Sequence, residues 1–208
     1  MLAPVIEMKE THASERLHPD RTSIAVVYSV GLGLMAVLVG FVFHRQSTLK
    51  FIAETLVSKN EALAESALYD IFRAEVEYHR RSLNRSGTGM YWTADLAGLY
   101  TSGVLGSLSL ARADVKPREP LPYEVEPYCG YYFVAMNKGP DGEDYQQVVD
   151  AASGKVHHAS QFGFCAYPAL YGVTGRHTFL LTDEEILMYV DYGGLPVMKC
   201  PPPRVAHE

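Results

Sequence analysis

The chain has 208 residues, a formal net charge of −6 and three cysteines, a length sufficient for one domain together with an anchor segment. The acidic balance and the lack of a basic patch argue against nucleic-acid binding, because nucleic-acid backbones attract clustered lysine and arginine. Fourteen tyrosines and eight phenylalanines, more than half of them in the second half of the chain, favour a sheet-rich domain there.

The first 23 residues form a polar tail that shows no hydrophobic periodicity. Pro4 and Pro19 interrupt it. A segment of this composition cannot bury enough apolar surface to order itself, so the tail is predicted to lack regular structure when alone.

The next 20 residues, Ile24–Phe43, are uncharged and mostly apolar. At a rise of about 1.5 Å per residue they span roughly 30 Å, the thickness of the hydrocarbon core of a bilayer. The apolar part of a cleaved signal peptide is usually about 7–15 residues long and ends at small residues. We therefore expect a retained transmembrane helix, with a cleaved signal or a buried core helix as alternatives. The basic residues of the two flanks nearly balance, so the positive-inside rule does not orient it.

Small side chains recur along this apolar segment at spacings of four, three and four residues. They are Ser29, Gly33, Ala36 and Gly40. These spacings place them on one helix face, where they would let another helix approach closely. The pattern predicts a partner-contact face for other membrane-protein subunits; the alternative is the ordinary abundance of small residues in membrane helices.

A helical pattern continues from Gln46 to about Leu83, without glycine or proline after the anchor. Its apolar stripe comprises Leu49, Ile52, Leu56, Leu63, Ala67, Ile71, Ala74 and Tyr78. Anchor and continuation are therefore predicted to form one helix of about 60 residues. We expect the aromatic domain to cover the stripe, and the helix to end near Ser86–Gly87, where glycine permits a left-handed cap.

The remaining elements are short. A helix or turn is expected over Tyr91–Tyr100, a helix over Leu108–Ala113 and an extended connection over Lys116–Pro127. Strands are expected over Tyr131–Met136, Gln161–Tyr167, Thr178–Leu181 and Leu187–Val190, with a short edge strand at Val148–Val149. An acidic turn is expected over Asp183–Glu185. The prolines after Cys200 cannot extend a sheet and predict an exposed tail.

The cysteines Cys129, Cys165 and Cys200 lack CxxC spacing, which argues against a zinc or thioredoxin-type site. The odd count fits either one disulfide with one free thiol or three buried thiols. Cys165 beside a histidine would be the natural nucleophile to consider, but its position inside an aromatic strand favours a buried thiol.

Three other motifs have both a chemical and a structural interpretation. Adjacent His157 and His158 would face opposite sides of a strand, so a solvated loop pair is favoured over a metal site. Asp141, Glu143 and Asp144 lack the spacing of a calcium loop, which favours a polar turn. Tyr171–Arg176 is glycine-rich, but a strand pattern follows it where a phosphate loop would need a helix. We predict no catalytic, cofactor-binding or metal site, and no small-molecule substrate.

Four stretches of the second half carry a family resemblance: YWTADLAGLY (Tyr91–Tyr100), GYYFVAM (Gly130–Met136), FGFCAYPALYGVTGRHTFLL (Phe162–Leu181) and DYGG (Asp191–Gly194). Over roughly Asn60–Lys199 the chain resembles an uncharacterised bacterial envelope family whose soluble domain is similar to that of type IV pilins and pseudopilins. The resemblance implies an α+β fold, with a long N-terminal helix packed on a small antiparallel sheet. It also implies a domain outside the cytoplasm, and no known activity.

The anchor departs from the pilin pattern, in which processing occurs before the apolar run. Here Gly40–Phe41 lies at the end of that run, so cleavage there would remove the membrane segment. We therefore expect a permanently anchored subunit with a cytoplasmic tail (1–23), a transmembrane helix (24–43), a helix continuation (44–83), a periplasmic pilin-like domain (84–200) and a Pro-rich tail (201–208).

The expected role is that of a non-enzymatic accessory subunit of a membrane complex in the bacterial inner membrane. Its partners would bind the transmembrane helix and the N-terminal tail. Secretion, respiratory and photosynthetic hosts all remain open. The alternatives are a pseudopilin-like component of a secretion or pilus system, and a periplasmic enzyme or ligand-binding domain.

Overall fold

The computed structural model describes residues 21–92, 94–116, 124–139, 141–142, 147–149, 156–158 and 160–201. The chain divides into two compact units, Met1–Lys50 and Phe51–Glu208. The described part of the first unit is entirely helical. The second unit combines helix with sheet, which confirms the α+β prediction.

The long predicted helix is present as α1, Arg21–Ser86. It ends where Gly87 adopts a left-handed φ of 74° and donates its N–H to the Leu83 carbonyl at 3.0 Å. The prediction was wrong at the other end, because 21–23 are helical and not part of the tail. No glycine or proline follows Pro19 before the apolar run, so nothing stops the helix from extending backwards. Residues 1–20 lie outside the described chain.

Two short helices follow, each with a side-chain cap. The first, α2, is Leu96–Thr101, and the Asp95 side chain caps it by accepting the Gly98 N–H. The second, α3, is Leu108–Ala111, and the Ser107 side chain caps it through the Leu110 N–H. The Lys116–Pro127 connection falls largely on 117–123, outside the described residues.

Four strands form the main antiparallel sheet in the order β1-β4-β5-β6. They are β1 (Tyr131–Ala135), β4 (Gly163–Pro168), β5 (Thr178–Thr182) and β6 (Leu187–Val190). The acidic turn joins β5 to β6 as predicted, with Glu185 in a left-handed conformation at φ 60°.

The chain between β1 and β4 contains two further strands, β2 (Gln147–Val149) and β3 (Val156–His158). They pair with each other in a separate two-stranded sheet. The predicted edge strand at Val148–Val149 therefore exists but joins no edge of the main sheet. The loop predicted at His157–His158 was wrong: β-branched valines on both sides of the hairpin favour strand pairing.

Both faces of the main sheet are covered. On one face the second half of α1 packs with α2 and α3 over Phe133, Phe164 and Phe179. On the other, Cys165 and Cys200 belong to a smaller apolar cluster that the C-terminal segment closes.

The prediction for the apolar stripe of α1 was wrong in its first part. Leu49, Ile52 and Leu56 are about half exposed, at 57%, 49% and 52%, and the covered part begins at Val57, which is 5% exposed. Among the described contacts, the turn before β5 meets α1 at Asn60 and Glu61, which lie after these exposed residues.

Candidate functional site

Large apolar side chains of α1 are exposed between residues 32 and 43. Leu32 is 72% exposed, Val37 71% and Phe41 64%. Over the described residues, α1 is the one helix long and apolar enough to cross a membrane, a property that a signal sequence near the N-terminus shares. Water is an unfavourable environment for such a surface, because burial of each large aliphatic side chain is worth about 1.5–3 kcal/mol.

The four small residues predicted to contact a partner lie on this part of α1, and all are exposed: Ser29, Gly33, Ala36 and Gly40. A methyl group added at Gly33 or at Gly40 would meet nothing within 4 Å. This small-residue face is therefore sterically open, as close approach of another helix requires.

The second unit contains three buried carboxylates that contact Trp92 or the start of α2, and sequence reasoning did not single them out. They are Glu75, Asp95 and Asp114. Asp95 Oδ1 accepts hydrogen bonds from Trp92 Nε1 at 3.0 Å and from Gly98 N at 2.8 Å. The Leu96 N–H donates to Asp114 Oδ2 at 2.7 Å. Each of these two carboxylates thus holds main chain at the start of α2.

Glu75 is the member of this cluster that has a buried carboxylate oxygen without a hydrogen-bond partner among the described residues. It extends from α1 and its Oε2 accepts the Trp92 N–H at 2.8 Å, while Oε1 has no hydrogen-bond partner among the described residues. Burial raises its pKa to about 8, and the Trp92 hydrogen bond opposes that rise. Burial likewise raises the pKa of Asp114 to about 6. Glu75 is therefore largely protonated at neutral pH.

A sequence signal was available for part of this cluster. Asp95 directly precedes the helix and accepts from Gly98 three residues on, which is the expected geometry of an N-cap. Glu75 follows the buried Ala74 on the apolar stripe, so its carboxylate enters the core. Nothing in the sequence pattern indicates that either side chain contacts Trp92, which lies 17 residues after Glu75.

A second polar cluster fastens the glycine-rich turn before β5 to α1. Glu61 Oε1 accepts from the backbone N–H of Arg176 at 2.8 Å and lies 3.1 Å from His177 Nδ1. Asn60 Nδ2 donates to the Thr174 carbonyl at 3.0 Å. The turn itself is closed by a hydrogen bond from Gly172 N to Gly175 O at 2.8 Å, and Gly172 has a φ of 75°. The turn interpretation of Tyr171–Arg176 is therefore confirmed.

All three cysteines are free thiols in the structure. Cys165 lies on β4, where its Sγ accepts the Val197 N–H at 3.3 Å, and burial raises its pKa to about 12. Burial also raises the pKa of Cys200, to about 11. Thiolates are the reactive form of cysteine, so both sites disfavour nucleophilic chemistry.

The described residues contain no group of three or more His, Cys, Asp or Glu placed to hold a metal ion. Glu143 and Asp144, which belonged to the calcium-loop alternative, lie outside the described residues. Within the part of the chain that the structure describes, the arrangement of buried charges is suited to fixing main chain, and the open apolar helix is suited to contact with lipid or another helix.

A family model described as "Protein of unknown function (DUF2950)" matches residues 28–195, well over half of the chain. The matched region includes the small-residue face, the buried carboxylates and all strands of the main sheet. No curated protein and no solved structure matches the chain.

Proposed function

The chain belongs to this family of unknown function, and from that premise we propose a structural role in a membrane. It is a single-pass protein of the bacterial inner membrane, and its C-terminal α+β domain is an accessory subunit of a larger membrane complex. The tail is cytoplasmic and the domain periplasmic.

The observation that carries this proposal is the exposed apolar stretch of α1. Nine large apolar side chains of residues 32–43 are at least half exposed: Leu32, Leu34, Met35, Val37, Leu38, Val39, Phe41, Val42 and Phe43. An exposed apolar surface of this size indicates a membrane or protein contact. The length and lack of charge of Ile24–Phe43 favour lipid as the main surroundings.

A subunit role is supported by how the domain uses three of its carboxylates. Asp95, Asp114 and Glu61 all accept hydrogen bonds from backbone N–H groups of their own domain. These carboxylates hold the main chain of their own domain in place. The small-residue face adds a surface on which a partner helix could pack.

The pilin-like character of the domain is part of the proposal. A helix whose second half packs on a small antiparallel sheet is the arrangement that the motifs of the second half imply. Gly40–Phe41 lies inside α1, so prepilin-type cleavage there would remove six of the nine exposed apolar side chains of residues 32–43. A permanently anchored subunit is therefore favoured over a processed pseudopilin.

Purification of the tagged full-length protein in a mild detergent tests the subunit role. We expect defined partner proteins to co-purify with the natural chain. The double variant Gly33→Leu/Gly40→Leu should retain about a tenth of them or less, since blocking close helix approach costs at least about 1.4 kcal/mol.

The matched control is Met35→Leu/Val42→Leu, because those positions lie on the opposite side of the helix at 100° per residue. This control should keep its partners, and both variants should stay in the membrane. A natural chain that purifies as a lone monomer would contradict the subunit role.

A further inference from the structure

The sheet has one edge that is covered and one that is open. The covered edge is that of β1, because the segment around Asp114 forms a parallel bridge with it. Val115 N donates to Phe133 O at 3.1 Å, and Phe133 N donates to Ala113 O at 2.9 Å. On the other side, β6 is the last strand of the order. Within the described parts of the chain no backbone group pairs with its outer side.

The register identifies which groups of β6 face outwards. Thr182 N donates to Ile186 O, and Leu180 pairs with Met188 in the same register. Hydrogen-bonded and non-hydrogen-bonded pairs alternate along an antiparallel ladder. Therefore the N–H and C=O of Leu187 and of Tyr189 point away from β5, towards the open edge.

Apolar and aromatic side chains accompany this edge. Tyr189 is 67% exposed and Tyr192 50%, and Ile186 and Leu195 are also exposed. The Tyr189 ring packs edge-on against His177, with the ring centroids 5.4 Å apart. Tyrosine is enriched at protein interfaces because it combines a large apolar ring with a polar tip.

Charge at the edge is unevenly distributed. The turn that leads into β6 carries Asp183, Glu184 and Glu185, and Asp191 follows the strand. A second copy that paired Leu187 with Tyr189 would also place Glu185 opposite Asp191, and like charges directly opposite each other destabilise a strand pair. The edge therefore suits an extended segment that carries basic residues.

We propose that β6 receives an extended, basic segment of a partner protein as a fifth strand of the sheet. The segment hydrogen-bonds to the main chain of Leu187 and Tyr189, and its lysine or arginine side chains lie beside the acidic turn. The inference rests on the proposed function, since it supplies the domain's contact within the complex.

Site-specific photocrosslinking in the native membrane tests this inference. Benzoylphenylalanine is introduced at Tyr192 of the full-length chain, with Leu108 on α3 as the control position, which is 39% exposed. We expect an adduct with a different protein from Tyr192 and none from Leu108.

Two variants then identify the contact. Tyr189→Pro removes the outward N–H while the β5 hydrogen bonds remain, and Tyr189→Ala keeps that N–H. Proline should lower the adduct yield about fivefold to tenfold below alanine, as expected for one lost hydrogen bond. Glu184→Lys should lower the yield too, whereas Glu54→Lys on α1 should not. If the Tyr189→Pro variant does not fold, the adduct yield of Glu184→Lys tests the inference in its place.

An adduct only with a second copy, or an adduct insensitive to Tyr189→Pro and Glu184→Lys, would overturn the inference. So would the absence of any adduct at Tyr192 while partners still co-purify, which leaves the proposed function standing. If no protein co-purified with the natural chain, both this inference and the proposed function would be overturned.

Discussion

Replacement of Gly98 by alanine should destabilise the domain by about 3 kcal/mol, the upper part of the usual range for overpacking. Gly98 lies in α2 directly against the indole ring of Trp92, and an added methyl group would collide with that ring. The ring has no room to move, because Trp92 is 5% exposed and its Nε1 donates to both the carbonyl and the carboxylate of Asp95 at 3.0 Å.

The consequence should extend beyond α2. Displacement of Trp92 would also lengthen the hydrogen bond from its backbone N–H to Glu75 on α1. Gly106→Ala is the matched control, since a methyl group there meets nothing within 4 Å and should change stability by no more than about 0.5 kcal/mol. Thermal unfolding of the detergent-solubilised chains measures both. Equal melting temperatures for the two variants would contradict the packing described for Trp92.

Stability should fall as the pH rises from 6 to 8, and Glu75→Gln should remove that fall. The folded pKa of Glu75 is raised to about 8 from 4.5, so between these values the folded state binds a proton that the unfolded state has released. The stabilisation is complete below the unfolded pKa and is lost as pH rises through the folded pKa. Each pH unit corresponds to about 1.4 kcal/mol, which gives roughly 2–3 kcal/mol between pH 6 and 8.

The pH window separates Glu75 from its neighbours. The pKa of Asp114 is raised from 3.8 to about 6, so its stabilising contribution is lost as the pH rises between those two values, mostly before the pH reaches 6. Tyr91, whose pKa is raised by burial and by the charges of Asp183 and Glu75, titrates at higher pH. Glutamine keeps the oxygen that accepts the Trp92 N–H and cannot ionise.

The control for this experiment is Glu77→Gln on the same helix. Hydrogen bonds from Arg80 and Arg81 lower the pKa of Glu77 to about 2, so it does not titrate in the window. Melting curves at pH 6, 7 and 8 should decline for the natural chain and for Glu77→Gln, and stay level for Glu75→Gln. Parallel curves for all three would show that Glu75 is ionised in the folded state.

Patterns in the sequence predicted the helices, strands and turns that are determined by residues close together in the chain. The apolar stripe over Ala67, Ile71 and Ala74 has the period of a helix, and those residues are buried in the structure. Strand β6 has the predicted bounds, because a run of four apolar residues follows an acidic turn. The end of α1 near Gly87 could be predicted because glycine adopts a left-handed backbone conformation without steric cost.

The features that sequence reasoning missed depend on contacts between distant residues. Asp114 meets the Leu96 N–H across 18 positions, and Glu61 meets Arg176 across 115. No periodicity encodes such pairs. The same limit applies to the apolar stripe of α1, because its period alone does not show which of its residues other elements cover, and Leu56 is 52% exposed. The helical spacing of Ser29, Gly33, Ala36 and Gly40 is a local property that the sequence shows directly, whereas their role as a partner face stays a prediction.

The central claim is that the apolar part of α1 remains attached to the domain and anchors it in a membrane. The most direct measurement is alkaline carbonate extraction of membranes, followed by intact mass determination of the extracted and pelleted protein. We predict that the protein stays in the pellet with the mass of a chain that retains residues 24–43. Recovery of the domain in the soluble fraction, with a mass that lacks those residues, would contradict the account and identify the segment as a cleaved signal.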